Sequence, residues 1–245
     1  MMRHFVLLVC AVLAAALPLR ASEGIEQDTI ATTSGKVEIS FVGHGTVAFQ
    51  WGDRTIVVDP WSKLPGTAGL PKAELILVTH GHGDHFDTSA ISALRTGSTV
   101  ILLPANCAAQ VKKSTIMKNG DVQKVHGLTV EAVPAYNLVH MRPDGTPFHV
   151  KGEGNGYVIT IGHTRIYIAG DTEDTPEMKA LKDIDIAFLP MNLPYTMTPE
   201  MVADAVKAFR PKILYPYHFS QTDPAKLMPL LKDLKGTEVR IRSMK

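Results

Sequence analysis

The sequence of 245 residues carries a formal net charge of +1, and 45% of its residues are hydrophobic. This balance is typical of a globular chain that is long enough to bury one large core. The composition excludes the strongly charged classes of protein that bind nucleic acid or anionic lipid surfaces, so no nucleic-acid partner is expected.

Residues 1–21 have the pattern of a secretory signal peptide. A basic residue, Arg3, precedes an apolar run from Phe5 to Leu17, and the small residue Ala21 stands before Ser22. The run is shorter than the ~20 apolar residues that a membrane span needs, so cleavage near Ala21 is favoured over a membrane anchor. We therefore expect export to the periplasm or the medium, with no membrane span in the mature chain.

The chain has two cysteines, and their positions limit its covalent chemistry. Cys10 lies in the predicted signal peptide, where lipid attachment is a weaker alternative because Val9 before it is not a small residue. After cleavage only Cys107 would remain, so no internal disulfide is expected. Stability would then come from packing or from bound metal.

Strands and helices are predicted to alternate after a polar lead-in, residues 22–35, that is expected to be flexible. Apolar runs and period-two patterns predict strands at VEISFVG, TVAFQWG, TIVVD, ELILVTH, TVILLP, LTVEAVPAY, GYVITIG, TRIYIAGD, KILYPYH and TEVRIR. Asp87 is placed to cap a helix that carries Ile91 and Leu94. Further helices are predicted over 176–182, over 199–209 and near 223–235. Because no linker divides residues 36–245, we expect one domain with two β-rich halves and helices outside.

The segment VTHGHGDHFD concentrates metal-binding chemistry in one turn. Its candidate ligands are His80, His82, Asp84 and His85. The preceding strand ends at Thr79, and Gly81 and Gly83 are expected to let the chain fold tightly so that alternate side chains meet. The first two histidines can share one metal ion, and the aspartate and the third histidine can reach a second. Imidazole with carboxylate suits zinc, manganese or iron.

Two further candidate ligands follow predicted strands elsewhere in the chain. IYIAGDT leads a buried-type strand into Asp171, and ILYPYHF leads another into His218. A carboxylate at position 171 could bridge two cations, since each oxygen can bind one. Asp171 could instead be a turn residue after Gly170, and His218 could simply pack among its aromatic neighbours. Beside the histidine cluster, the interpretation as ligands is favoured.

The histidine cluster, Asp171 and His218 together resemble the metallo-β-lactamase superfamily, from Lys36 to the last residue. More narrowly, FVGHGTVAFQWGDRTIVVDPW, VPAYN, GYVI and YIAGDTEDTPEM resemble the branch of ascorbate-phosphate lactonase-like proteins and N-acyl-phosphatidylethanolamine phospholipase D relatives. The resemblance implies an α/β fold, a four-layer αββα sandwich with the metals at one edge between the sheets.

One ligand is contested. The superfamily usually has a further histidine just after a Pro-Ala pair, but VPAYN places Asn137 there. His140 and His149 are the alternatives, and the likeness of PFHVKGEGNGYVI to this branch favours His149. His126 and His163 are expected to be structural or exposed.

Three more side chains are candidates for the surroundings of the metals. His44, in GHG, and Asp59, in VVDP, both follow strands and could point at the metal edge. A carboxylate that accepts a hydrogen bond from a ligand imidazole fixes its tautomer. The alternatives are a core histidine and a turn carboxylate before Pro60. Tyr195, in MNLPYTM, could face the substrate or belong to a packing loop.

These ligands predict a metal-dependent hydrolase of small molecules. Two divalent ions bridged by Asp171, with zinc favoured over manganese or iron, would hold a hydroxide, since coordination lowers the pKa of water from about 16 to about 7. It would attack an ester, lactone or phosphodiester, while Asp84 holds one ion, orients the nucleophile and takes part in proton transfer. The substrate is expected against loops around 61–71, 137–155 and 192–198.

Asp171 also separates this chain from the zinc β-lactamases that it resembles. Those enzymes generally lack a bridging aspartate, so the resemblance implies weak or absent turnover of β-lactams. A redox protein holding iron and a non-catalytic metal-binding protein stay open as alternatives, although the intact ligand set argues against the second. The sequence leaves the oligomeric state open.

Overall fold

Fourteen strands form two sheets of seven strands each in the computed structural model, which describes residues 24–244. Across the first sheet the strands are β1 (Glu26–Thr32), β2 (Gly35–Gly43), β3 (Thr46–Trp51), β4 (Arg54–Val58), β5 (Ala73–Leu77), β6 (Arg95–Leu103) and β7 (Thr115–Ile116). Across the second they are β8 (Val122–Val125), β9 (Leu128–Ala135), β10 (Gly154–Ile161), β11 (Thr164–Ile168), β12 (Ile186–Pro190), β13 (Ile213–Tyr217) and β14 (Glu238–Val239). The predicted signal peptide lies outside the described residues.

Four α-helices accompany the sheets: α1 (Thr88–Leu94), α2 (Pro176–Lys179), α3 (Pro199–Phe209) and α4 (Leu227–Leu231). Short 3-10 turns cover Pro65–Gly69, Ala105–Gln110 and Pro224–Lys226. The carboxylate of Asp87 accepts hydrogen bonds from the backbone N–H groups of Ser89 and Ala90, as its predicted capping role requires. Within residues 24–244, no helix has the length and apolar character needed to cross a membrane.

The layers follow from which face of each strand is apolar. Alternate residues of β2, such as Ile39 and Phe41, are buried in the core between the two sheets. The other face of the first sheet packs on α1 through Ile91 and Leu94. On the far side, α3 brings Phe209 against the ring of Tyr167 in β11, with ring centroids 6.1 Å apart. The predicted αββα sandwich is therefore confirmed.

The predicted flexible lead-in is wrong from residue 26 onwards. Residues 26–32 form β1, which pairs antiparallel with β2 from Glu26 opposite Phe41 to Thr32 opposite Gly35. The segment is polar because an edge strand keeps one face in solvent, and only Ile30 packs against the core. Asp28 fixes the strand by accepting hydrogen bonds from Arg242 at 2.8 Å.

Other differences between the predicted and the observed strands and helices occur where the sequence pattern is weak or the pairing is non-local. Strand β12, which was not predicted, is fully buried and lies parallel between β11 and β13. The predicted helix over 176–182 ends at Lys179, and the one near 223–235 has its α-helical part at 227–231. The pairs β6–β7 and β8–β9 are short edge pairings that the sequence did not indicate.

Parallel strands place the candidate ligands at one edge. Strands β4, β5 and β6 run parallel in the first sheet, and β11, β12 and β13 run parallel in the second. The carboxyl ends of parallel strands meet at the same edge of a sheet. Asp59 follows β4, the histidine cluster follows β5, Asp171 follows β11 and His218 follows β13. The two edges face each other, so these segments meet between the sheets.

Candidate metal centre

All seven predicted ligands converge at this edge: His80, His82, Asp84, His85, His149, Asp171 and His218. Their donor atoms fall into groups within which all atoms lie within 4.8 Å of one another. Two groups are distinct, and Asp171 lies between them.

Three imidazoles form the first group. Nε2 of His80 lies 3.1 Å from Nδ1 of His82. The ring of His149 is 5.0 Å from that of His80 and 4.9 Å from that of His82, measured between centroids. Burial lowers the pKa of His80 well below its usual value, so that ring is neutral and able to donate a lone pair.

The second group surrounds one carboxylate oxygen. Oδ2 of Asp84 lies 2.9 Å from Nε2 of His44, 3.8 Å from Nε2 of His218 and 3.9 Å from Nε2 of His85. His44, predicted only to line the pocket, is thus part of this group. Its carbonyl also accepts a hydrogen bond from the backbone N–H of His218 at 3.1 Å, which ties the two loops together.

Asp171 offers one oxygen to each group. Its Oδ2 lies 3.4 Å from Nε2 of His149, and its Oδ1 lies 3.5 Å from Nε2 of His85 and 2.6 Å from Nδ1 of His218. Burial alone would raise the pKa of Asp171, but the nearby imidazoles of His218 and His85 outweigh it and hold that pKa well below its usual range. The side chain is therefore a carboxylate with an oxygen for either side.

Two buried nitrogens test whether these residues fit metal ions. Within residues 24–244, neither Nε2 of His85 nor Nε2 of His149 has a hydrogen-bond partner. The opposite nitrogens are anchored, with Nδ1 of His85 2.7 Å from Asp59 Oδ2 and Nδ1 of His149 2.7 Å from Asn137 Oδ1. Both partners are acceptors, so each Nδ1 carries a proton and each Nε2 faces the donor groups. Leaving a buried polar atom unpaired costs about 1–3 kcal/mol, which a bound cation would remove.

The electrostatic surroundings of His85 also favour a bound cation. Burial alone would lower the pKa of His85, but the carboxylates of Asp171, Asp59 and Asp84 outweigh it and raise that pKa to about 9. The carboxylates therefore favour positive charge at this position, which a metal ion would supply in place of the proton.

Asp59 holds His85 in place, as predicted for it. Its carboxylate is fully buried and accepts hydrogen bonds from the backbone N–H and the hydroxyl of Thr79, at 2.7 and 2.6 Å, as well as from His85. Burial raises the pKa of Asp59, and the contact with His85 opposes that rise.

The two contested histidines have different surroundings. His149 lies with His80 and His82, whereas Nδ1 of His140 points to Glu173. Glu173 is completely buried, and its carboxylate also accepts hydrogen bonds from Asn137 Nδ2 and from the backbone N–H groups of three consecutive residues, 138–140. Glu173 was not predicted from the sequence, although its place two positions after Asp171 was a signal.

The backbone of the two cluster glycines does not require glycine, contrary to the role predicted for them. Gly81 and Gly83 do not have positive φ, and a Cβ at Gly83 would meet nothing within 4 Å. The close approach occurs at Gly45, where a Cβ would lie 2.6 Å from Cε1 of His85. Gly170, before Asp171, has φ of +66°, a conformation that glycine adopts without strain.

Three residues of the site adopt the left-handed conformation despite having side chains. His44, Asp59 and His218 have φ of 50°, 46° and 45°. Such conformations cost about 1–3 kcal/mol each and persist only where surrounding contacts impose them. Each of the three follows a strand or a strand-end glycine, so the turn aims its side chain into the cluster.

An open cleft of about 310 Å³ gives access to the donor groups. Its lining residues are His82, Asp84, Arg142, Phe148, His149, Asp171, Asn192, Tyr195 and His218. The predicted loops 137–155 and 192–198 thus contribute, and so does Tyr195. The loop at 61–71 only borders the site, where the ring of Trp61 is 5.1 Å from that of His44. His126 and His163 are exposed, as predicted.

Comparison with known proteins agrees with this architecture. A family model described as a beta-lactamase superfamily domain matches residues 38–218. The UPF0173 metal-dependent hydrolase TTHA1283 of Thermus thermophilus is 34% identical over 200 residues, which cover 78% of this chain and 87% of the relative. The UPF0173 metal-dependent hydrolase STH3160 of Symbiobacterium thermophilum is 35% identical over 222 residues, covering 84% and 92%.

Solved structures show the same similarity. One from Parabacteroides distasonis, described as a metal-dependent hydrolase, has a TM-score of 0.85 and 44% identity, and the match covers 90% of this chain and 100% of that chain. Igni18, a metallo hydrolase from Ignicoccus hospitalis, has a TM-score of 0.67 at 22% identity, covering 84% and 94%, a likeness that shows the fold alone.

The fold, the donor groups and these relatives together define a hydrolase that depends on metal ions. The chain belongs to the beta-lactamase superfamily. The predictions of superfamily and of enzyme class are confirmed. The narrower resemblance to ascorbate-phosphate lactonase-like and N-acyl-phosphatidylethanolamine phospholipase D-like proteins stays a prediction.

Proposed function

We propose that this protein uses two divalent metal ions to hydrolyse an ester, lactone or phosphodiester bond in a small molecule. One ion would be held by His80, His82 and His149, and the other by Asp84, His85 and His218. Asp171 would give one carboxylate oxygen to each ion.

The single observation that carries this proposal is the pair of unpartnered nitrogens on either side of Asp171. Nε2 of His85 and Nε2 of His149 face opposite oxygens of that carboxylate, at 3.5 and 3.4 Å. Each ring is held by a second contact, so neither nitrogen can turn away. Two buried, oriented donors with a shared acceptor between them suit two neighbouring cations.

Divalent ions bound here would lower the pKa of water to about 7 and withdraw charge from the bond under attack. The chain's own residues set the geometry. Burial would raise the pKa of Asp84, but the hydrogen bond from His44 and the nearby His85 hold it below its usual range. Asp84 is thus a carboxylate, which favours a role as ligand and hydrogen-bond acceptor over the proton transfer also predicted for it. On the solvent side, Asn192 and Tyr195 line the cleft where the substrate would lie.

The choice of metal follows from the donor set. Five imidazoles and two carboxylates suit zinc, with manganese and iron as alternatives. Protein purified without chelator is expected to contain close to two ions per chain by inductively coupled plasma mass spectrometry. A strongly coloured, iron-rich preparation would support the redox alternative instead.

The variant Asp171→Asn tests the proposal, because it keeps the shape of the side chain and removes its charge. We expect loss of bound metal and of hydrolysis across a panel of esters, lactones and phosphodiesters, with an unchanged circular dichroism spectrum. His163→Asn is the matched control, since it removes an exposed histidine outside the site. A wild-type chain that binds no metal contradicts the proposal. Bound metal without turnover on the whole panel would favour the non-catalytic alternative.

We also propose that the chain is exported and cleaved near Ala21. The support is the basic start and apolar run of residues 1–21. Cell fractionation with sequencing of the mature N-terminus tests this, and uncleaved protein in the cytoplasm would contradict it.

A further inference from the structure

The cleft that is lined by the donor groups is also lined by a cation, Arg142. Arg142 belongs to a tight turn in which its N–H donates to the carbonyl of Thr146 at 2.7 Å and its carbonyl accepts from Gly145 at 2.9 Å. Across the base of this loop, the N–H of Asn137 donates to the carbonyl of His149 at 2.9 Å. The turn therefore projects from a fixed base, and Arg142 lines the cleft together with His218 and Asp171.

The ring and the backbone carbonyl of Phe148 hold the guanidinium of Arg142 in place. Its central carbon lies 5.3 Å from the ring centroid of Phe148, and Nη2 donates to the carbonyl of Phe148 at 3.1 Å. Phe148 in turn packs edge-to-face on Tyr195, with centroids 5.0 Å apart. The planar guanidinium thus has a defined position beside the cleft, and most of its N–H groups stay free.

Arg142 forms no ion pair with the part of the chain that the structure describes. Among residues 24–244, no carboxylate oxygen lies within 4.0 Å of its guanidinium nitrogens. Asp144 is in the same turn, but its Oδ1 accepts from the N–H and the hydroxyl of Thr146, at 2.9 and 2.6 Å. Among the described residues that line this cleft, Arg142 is the one lysine or arginine. A free guanidinium on a fixed turn matches the flat, two-oxygen face of a carboxylate or phosphate group.

We propose that the substrate carries an anionic group, a carboxylate or a phosphate, separate from the bond that is cleaved, and that Arg142 binds it. This inference rests on the proposed function and narrows it to anionic esters, lactones or phosphodiesters. Asn192 and Tyr195, which also line the cleft, add an amide and a hydroxyl that can donate to further oxygens of such a group. Arg142 is a binding residue that selects the substrate, with no part in bond cleavage.

A matched pair of substrates tests this in the metal-loaded protein. 4-Nitrophenyl butyrate is neutral, and mono-4-nitrophenyl succinate has the same length with a terminal carboxylate. We expect Arg142→Ala to raise KM for the succinate roughly 10- to 100-fold, the effect of losing a charged hydrogen-bonding partner, with kcat nearly unchanged. The KM for the butyrate should stay the same. A phosphate-bearing 4-nitrophenyl ester, run beside the succinate, separates preference for phosphate from preference for carboxylate.

Arg54→Ala is the matched control, because Arg54 also lies over an aromatic ring, that of Trp51 at 5.0 Å, but outside the cleft. Equal effects of Arg142→Ala on both substrates would overturn the inference. If the wild type hydrolyses no substrate at all, the proposed function fails. Whether Arg142 binds an anionic group can still be decided by calorimetry with monoethyl succinate. Weaker binding by Arg142→Ala than by Arg54→Ala supports the inference, and equal binding overturns it.

Discussion

Replacing Asp59 by asparagine changes one charge and no shape, at the residue that fixes His85. One oxygen of Asp59 accepts from the backbone N–H of Thr79, and the other accepts from the Thr79 hydroxyl and from Nδ1 of His85. Asparagine keeps only one acceptor oxygen. With that oxygen on the Thr79 N–H, the new amide N–H group faces Nδ1 of His85 and forces the proton of the ring onto Nε2. The nitrogen that faces Asp171 then has no free lone pair.

The size of the effect follows from these contacts. If the amide turns the other way, its N–H group opposes the N–H of Thr79, and that buried donor is left unpaired at a cost of about 1–3 kcal/mol. Loss of a partner that orients a metal ligand typically lowers metal affinity about 10- to 100-fold, equivalent to roughly 1.4–2.7 kcal/mol. We therefore expect Asp59→Asn to destabilise the metal-free protein and to weaken one of the two proposed metal sites.

Two measurements separate these effects: urea unfolding of the metal-free protein and competition for metal with a chromophoric chelator. Nitrogen-15 spectra of the imidazoles, recorded above pH 9 where the His85 ring is neutral, report its tautomer directly. Asp185→Asn is the control, since Asp185 also accepts a backbone hydrogen bond, from Arg165 at 2.8 Å, but lies outside the site. The control should lose stability without losing metal affinity. Unchanged affinity and an unchanged His85 tautomer in Asp59→Asn would refute the reasoning.

Four further outcomes are expected. Gly45→Ala should lower the free energy of unfolding by roughly 1–3 kcal/mol, because the new Cβ would lie 2.6 Å from Cε1 of His85. The control Gly83→Ala should leave stability unchanged, and equal unfolding midpoints of the two variants would contradict this. Because the pKa of His85 is raised to about 9, metal binding must displace its proton, so affinity should rise with pH up to about 9, and calorimetry in buffers of different ionisation enthalpy should detect proton release. The same residue stabilises the metal-free protein fully below its ordinary pKa of 6.5, and unfolding curves should show this contribution lost as pH rises through about 9. Nitrocefin should be turned over weakly or not at all, and rates typical of a good β-lactamase would contradict the inference from Asp171.

The sequence predicted the parts of the site that follow strands and have close spacing. The histidine cluster, Asp171 and His218 each come directly after an apolar run, so their place at a sheet edge follows from the strand pattern. Strand β1 was missed because an edge strand needs few apolar residues, and the contact of Asp28 with Arg242 spans most of the chain.

The path of the loop over residues 137–149 could not be predicted for a similar reason. It depends on Glu173, whose contacts with the loop span more than thirty positions and involve backbone N–H groups that carry no sequence signal. The requirement for glycine at position 45 could not be predicted either. It arises because His85 lies against Gly45 in the folded molecule and leaves no room for a side chain.

The base of that loop holds His149 in position independently of the exposed turn beyond it. Asn137 and His149 are joined by reciprocal hydrogen bonds, and Glu173 fastens the first residues beyond Asn137. The exposed turn over residues 141–147 lies beyond these hydrogen bonds. It can therefore change in length or composition without moving the imidazole of His149. Substrate choice in this chain is thus free to vary on a segment that the proposed metal site does not depend on, which makes the turn the natural place to re-engineer specificity.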